Sequence, residues 1–236
     1  DAWMSNAALT FRKTKDLDIV LIVEALDASF VERFKGFIQA GRYEERQRQQ
    51  TGTRELYRFF KPKEADYPFM LELFSRAPAG LDLAEGQEII PIPLEETVAS
   101  LSAILMDSGY YDLILSTRYD VDGVSMVGAG GLIPLKARAW LDLRERKRGG
   151  KDVDDDDIKK HRNDVFRLAL TLAGSDSPDV GADIRADLRR FLDEFADESS
   201  EWPAISHALR ETVHAGRLPS PAELRDAIAD FFRLEG

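Results

Sequence analysis

Cysteine is absent from the whole chain of 236 residues, which excludes disulfides, thiolate metal sites and a cysteine nucleophile and fits a reducing compartment such as the cytoplasm. Histidine is almost as scarce. His161, His207 and His214 stand far apart and no HExxH occurs, so an imidazole-rich zinc site is not expected. Apolar runs stay short of the roughly 18 residues that a membrane span needs, and no membrane partner is expected. The N-terminal stretch DAWMSNAALTFRK has no basic region leading into an apolar one, so it is not a secretory signal. It also lacks an initiator methionine, and the chain is expected to begin inside a longer sequence. A P-loop, a GxGxxG turn after a strand and a GxSxG elbow are all missing. The glycines of VGAGGL have the wrong spacing for any of them. There is no internal repeat and no low-complexity linker.

What is present is an acidic, well-charged globular composition: net charge −11, 44% hydrophobic and 32% charged residues. The length allows one large domain, or a medium domain with a smaller second one, and a sizeable core. The negative balance argues against a broad electropositive surface that grips nucleic acid nonspecifically. Three local basic clusters stand out against it: Arg42, Arg46, Arg48 and Arg54; Arg144–Arg148 in RERKR; and Lys159–Arg162 in KKHR. Each is either part of a local basic groove or the solvated face of an amphipathic element.

The pattern along the chain changes character once. Ala2–Leu9 reads as the end of a short helix, and Leu17–Val23 as a strand buried on both faces. Phe30, Phe34, Phe37 and Ile38 mark a helix over Ser29–Gln39, with Gly41 placed to stop it. Tyr43–Gln50, Glu55–Lys61 and Phe69–Ser75 predict consecutive strands of a mixed sheet. Glu88–Ile92 and Val98–Met106 predict further short elements, and Asp120–Gly131 a turn, a short strand and a Gly-rich connection. From Leu132 the sequence turns helical, with Ile158, Val165, Leu168 and Leu172 forming an apolar stripe and prolines near several later helix starts. The expected architecture is an α/β (α+β) half over residues 1–130, followed by a helical half over 131–236.

Four features of this pattern point to chemistry. Asp16 and Asp18, one residue apart at the head of a strand, project to the same face roughly 6–7 Å apart. Two such like charges repel unless a cation lies between them, and a hard divalent cation such as Mg²⁺ suits them. Glu72 sits mid-strand in PFMLELFSR among apolar residues, where a charge must be bound to metal or paired, for instance with Arg58 or Arg76. If its strand lies beside the first, three carboxylates converge in the manner of a metal-dependent phosphoryl-transfer site. Lys136 falls among Leu132, Trp140 and Leu143, either interrupting an apolar stripe so as to meet phosphates or snorkelling from its edge. In DDDDIKKHRND, Asp157, His161 and Asp164 share a helical face, while the rest of the acidic run suits a helix N-terminus.

RKTKDLDIVL, FMLELFSR, LIPLKARAWLDLRERK and DIKKHRNDVFRL, in that order, resemble the nucleotidyltransferase superfamily, and within it the AbiEii-like group that includes toxins of toxin–antitoxin systems. The resemblance covers roughly Asp1–Leu172. It implies a nucleotidyltransferase-type mixed sheet with flanking helices and transfer of a nucleoside monophosphate from an NTP. The acceptor is left open among transfer RNA, a protein and a small molecule, and an antitoxin is an implied partner. It further implies that Asp16, Asp18 and Glu72 hold Mg²⁺ or Mn²⁺ and carry catalysis. Lys136, Asp157 or Asp164, Arg12 and Thr14 would lie on the nucleotide side. One departure is upstream. The family's Gly-Gly or Gly-Ser turn has no counterpart in Asp1–Thr10, so either it precedes Asp1 or the site is degenerate. The alternatives to a toxin-like enzyme are a noncatalytic interaction protein of the same fold and an antibiotic-modifying nucleotidyltransferase.

Overall fold

A computed structural model describes residues 16–22, 28–45, 57–77, 89–91, 102–172, 176–213 and 217–234. The described residues form a mixed α/β molecule with seven helices and two small sheets. It divides into two compact units, one spanning Lys13–Tyr111 and the other containing Asp112–Gly236. Among the described residues the β7–β8 hairpin (Arg118–Val121, Val124–Val127) pairs only with itself, apart from the larger sheet. The expected helix over Ala2–Leu9 lies outside the described residues.

The sheet unit is built around β4, Met70–Ser75. Its alternation gives two unlike faces: Leu71, Leu73 and Ser75 are buried, while Met70, Glu72 and Phe74 are half-buried. Strand β1 (Asp16–Val20) runs parallel to β4, and β3 (Arg58–Phe60) antiparallel to it. The short β2 (Glu44–Glu45) pairs with β3, and β6 (Ser102–Leu105) runs parallel to the end of β4 with β5 (Ile89–Pro91) antiparallel beyond it. Helix α1, Ala28–Gly41, lays Val31, Phe34 and Ile38 against Phe59, Leu71, Leu73 and Leu21. Phe34 and Phe59 meet edge to face at 5.5 Å. Burying those side chains contributes roughly 1.5–3 kcal/mol each before entropy is counted. At the C-terminal end of α1, Gly41 packs where a Cβ would lie 2.7 Å from the Tyr67 ring.

The expectation that Leu17–Val23 is buried on both faces is corrected. The strand is Asp16–Val20, and Leu17 is 46% exposed. Among the described residues β1 pairs with β4 alone; Leu21, just past the strand, is buried in the core, with the half-buried Ile19 packed against it. Leu17 shares the face of its register partner Leu71 yet remains exposed, so the apolar cover ends short of the head of the strand.

Helix α2 (Ser108–Ser116), in which the boundary between the units falls, leads into the β7–β8 hairpin, and Asp122–Gly123 form its two-residue turn with positive φ at both positions. That is the backbone a tight hairpin needs. The Gly-rich stretch then proves to be the start of a helix rather than a connection: α3 covers Ala129–Arg148 with Gly128 as its cap residue. Gly131 lies so close to the hairpin that a Cβ there would come 2.6 Å from Val127 Cγ1 and closer still to Thr117 Oγ1. Helix α4 (Asp155–Ala169) follows after a short loop, then α5 (Ala182–Asp193), α6 (Trp202–Arg210) and α7 (Pro221–Phe231). The expected stripe of Ile158, Val165, Leu168 and Leu172 is buried. The centre is aromatic: Phe166 packs against Trp202 at 4.9 Å, Phe195 at 5.4 Å and Phe191 at 5.7 Å, and Trp140 against Phe195 at 5.1 Å.

Candidate metal and nucleotide site

The site begins with strand register. In the parallel pairing of β1 with β4, Asp18 stands opposite Glu72 and Asp16 opposite Met70. In the antiparallel pairing on the other side of β4, Arg58 stands opposite Glu72. Partners in register point to the same face, so one face reads Asp18, Glu72, Arg58 across three strands, with Asp16 two residues before Asp18. This is the face away from Leu71 and Leu73, and it puts the three carboxylates expected from the sequence on one surface.

Their environments differ. Asp16 is half-buried and Asp18 exposed, and neither has a hydrogen bond or ion pair among the described residues. Glu72, whose side chain is 14% exposed, accepts from Arg58 through Nε and Nη2 at its Oε1. The arginine that the sequence offered as an alternative partner is therefore in place, and it explains how a glutamate is tolerated in the middle of an otherwise apolar strand. As the side chains stand, no group of three or more His, Asp or Glu among the described residues is placed to hold a metal ion. Glu72 gives one oxygen to Arg58 instead of joining the pair. The donor set itself is all carboxylate oxygen, the chemistry that suits Mg²⁺ or Mn²⁺ and not zinc, and Asp16 and Asp18 are the two with no competing partner among the described residues.

The remaining candidates belong to the other unit. Lys136 lies in α3 and is half-buried. The buried stripe of that helix runs through Ile133, Ala137, Trp140 and Leu141, so Lys136 sits at its margin rather than within it, one turn before Trp140. Asp157 is exposed in the first turn of α4, where the helix dipole favours a carboxylate. Asp154 caps that helix by accepting from the Asp156 backbone N–H at 2.9 Å.

Asp164 departs from its expected role. It is fully buried and accepts from Arg167 Nη1 at 3.0 Å, one turn along the same helix. Its carboxylate is occupied in an internal ion pair. Although i and i+7 share a helical face, the start of α4 is solvated and its second half is covered, which separates Asp157 and Asp164 into different environments. Arg12 and Thr14 lie outside the described residues. The sequence did not reveal that Arg58 would sit opposite Glu72. Residue type was visible, but strand register was not.

No family model, curated protein or solved structure matches the chain.

Proposed function

We propose that the sheet unit carries the centre of a Mg²⁺- or Mn²⁺-dependent nucleotidyltransferase that moves a nucleoside monophosphate from an NTP to an acceptor hydroxyl. The observation that supports it most is the register that sets Asp18 beside Glu72, with Asp16 on the same face. Asp16 and Asp18 would hold the cation, which when bound supplies charge neutralisation for the triphosphate. In the transfer, the acceptor oxygen bonds to the α-phosphorus while the bond from that phosphorus to the α,β-bridging oxygen breaks. The electron pair leaves with pyrophosphate. The acceptor proton passes to a carboxylate, and Glu72, whose Arg58 contacts are made through Oε1, is the group for that step. The reading rests on the sheet unit alone and leaves the acceptor open among RNA, protein and small molecule, with toxin-like action and an antitoxin partner as its wider setting.

A second reading follows from the same ion pair: Glu72 held by Arg58 is also what a noncatalytic protein of this fold would show. Incubation with each α-labelled NTP, Mg²⁺ and a cell extract separates the two. Catalysis predicts label on a discrete acceptor, and Asp18→Asn lowering it at least about a hundredfold, the scale on which loss of transition-state charge stabilisation acts. Label transfer unchanged in Asp18→Asn and Glu72→Gln would overturn the assignment.

A further inference from the structure

Two basic clusters that are separate in the sequence meet in the helical unit. A cavity of about 360 Å³ lies between the last turns of α3 and the first turns of α4. Arg144, Lys147 and Arg148 come from α3, and Lys159 and Arg162 from α4, against Asp155 and Glu201 as the carboxylates of the lining. In a chain of net charge −11, five cations facing one cavity leave a small local positive excess over the carboxylates they pair with.

Each cation has a carboxylate partner, Lys159 meeting Asp156 at 3.0 Å, but five cations share four carboxylates. Arg144 and Arg148 share a single carboxylate, Glu194, at 3.5 and 3.0 Å. Arg144 lies over the Trp140 ring at 5.1 Å, and its buried Nε has no hydrogen-bond partner. Lys147 pairs with Asp155 and Arg162 with Glu201, acidic partners whose side chains are 61% and 44% exposed. Ion pairs with such exposed partners are weak and readily exchanged. Arg162 is itself 5% exposed, and burial pushes its guanidinium below the usual range, with Glu201 opposing the shift. A buried arginine with a solvated partner gains most from a stronger anion. A second polar cavity, at the glycine-rich start of α3, is lined by Asp176 and Asp179 against a single cation, Arg118, and suits an anion less well.

We propose that the α3–α4 cavity binds a compact anion bearing two or more phosphoryl groups. Phosphoryl oxygens match the guanidinium forks of Arg144 and Arg148 and the point charge of Lys147. The volume is at the small end of ligand cavities, which selects a polyphosphate or two neighbouring backbone phosphates over a bulky ligand. The site owes nothing to the carboxylates of the sheet unit, so its test is run in EDTA, where the proposed metal chemistry is silent.

Calorimetry with inorganic triphosphate and, separately, with a hexaribonucleotide reads the binding. Saturable binding of either is expected, at least about tenfold weaker at 200 mM than at 50 mM salt if several cations contribute. Binding of triphosphate alone assigns a free polyphosphate. Binding of the hexamer alone assigns backbone phosphates. The combined Lys147→Ala, Arg148→Ala and Lys159→Ala variant should lose at least about tenfold in affinity. Arg148→Glu, a change at a side chain 62% exposed, should lose about fivefold or more. Arg190→Ala, on α5 and away from the cavity, should change nothing. No saturable binding of either probe, or equal binding by wild type and Arg148→Glu, overturns the proposal.

Discussion

The two units answer their charges in opposite ways. In the helical unit the buried carboxylates among the described residues each meet a cation: Asp164 meets Arg167, and Asp187 meets Arg138 at 3.1 Å; the exposed Glu194 meets Arg148. In the sheet unit Glu72 is answered by Arg58, but Asp16 and Asp18, beside it on the same face, have no partner among the described residues. Paired charges of the first kind hold helices in place. Adjacent carboxylates on one face repel one another unless a cation lies between them, and the proposed metal site rests on that.

Removing a charge should therefore have opposite consequences in the two units. The largest effect is expected for Asp164→Ala, which leaves Arg167 buried without its carboxylate and should cost about 3–5 kcal/mol in urea unfolding. Asp157→Ala, on the same helical face but solvated, should stay within about 0.5 kcal/mol. Next comes Gly131→Ala, whose Cβ would press on Thr117 and Val127. Overpacking of this kind costs about 1–3 kcal/mol, and thermal unfolding reads it. Asp18→Asn sharpens the contrast with Asp164. Relieving the repulsion at the head of β1 should leave stability within about 0.5 kcal/mol of wild type or raise it. A loss as large as that of Asp164→Ala would erase the distinction between the units.

These contrasts also show what the sequence made legible. The apolar run PFMLELFSR announced a strand with Glu72 in its middle, and the strand forms with Glu72 on the face opposite the buried Leu71 and Leu73. The spacing of Asp16 and Asp18 announced a shared face. The pairing of Asp18 with Glu72 and of Glu72 with Arg58 depends on register, which is fixed by contacts between distant segments and leaves no local mark. The same limit hid the fate of Asp164: spacing put it with Asp157, but burial along α4 is decided by the helices packed over its second half. RERKR and KKHR were each visible as basic runs, whereas their meeting depends on how α3 and α4 pack after the short loop between them. The glycines of VGAGGL looked like a loop because glycine is a poor helix former. Close approach to Thr117 and Val127 is what requires Gly131 inside a helix.

The smallest effect is an exposed one. At the start of α7, Ser220 and Glu223 cap each other: Glu223 Oε2 accepts from the Ser220 N–H at 2.7 Å, and Ser220 Oγ accepts from the Glu223 N–H at 3.3 Å. That backbone hydrogen bond, with the Arg217 side chain, lowers the Glu223 carboxyl from 4.5 to about 2. A folded-state value below the unfolded one means stability that is present above about pH 4.5 and lost as the pH falls toward 2. Glu223→Gln should flatten that part of the unfolding-versus-pH curve without changing its neutral plateau by more than the lost charge contacts. An unchanged acid limb would show that the cap contributes nothing.

The central claim is that Asp16 and Asp18 form a cation site beside Glu72. The measurement that reaches it most directly is Mn²⁺ titration followed by electron paramagnetic resonance, with and without an NTP, on wild type, Asp16→Asn and Asp18→Asn. The expected result is saturable Mn²⁺ binding by wild type, tightened by nucleotide and weakened at least about tenfold in either variant, as loss of one of few carboxylate ligands to a hard cation requires. Binding of equal affinity in all three proteins, or none in wild type, would contradict the account.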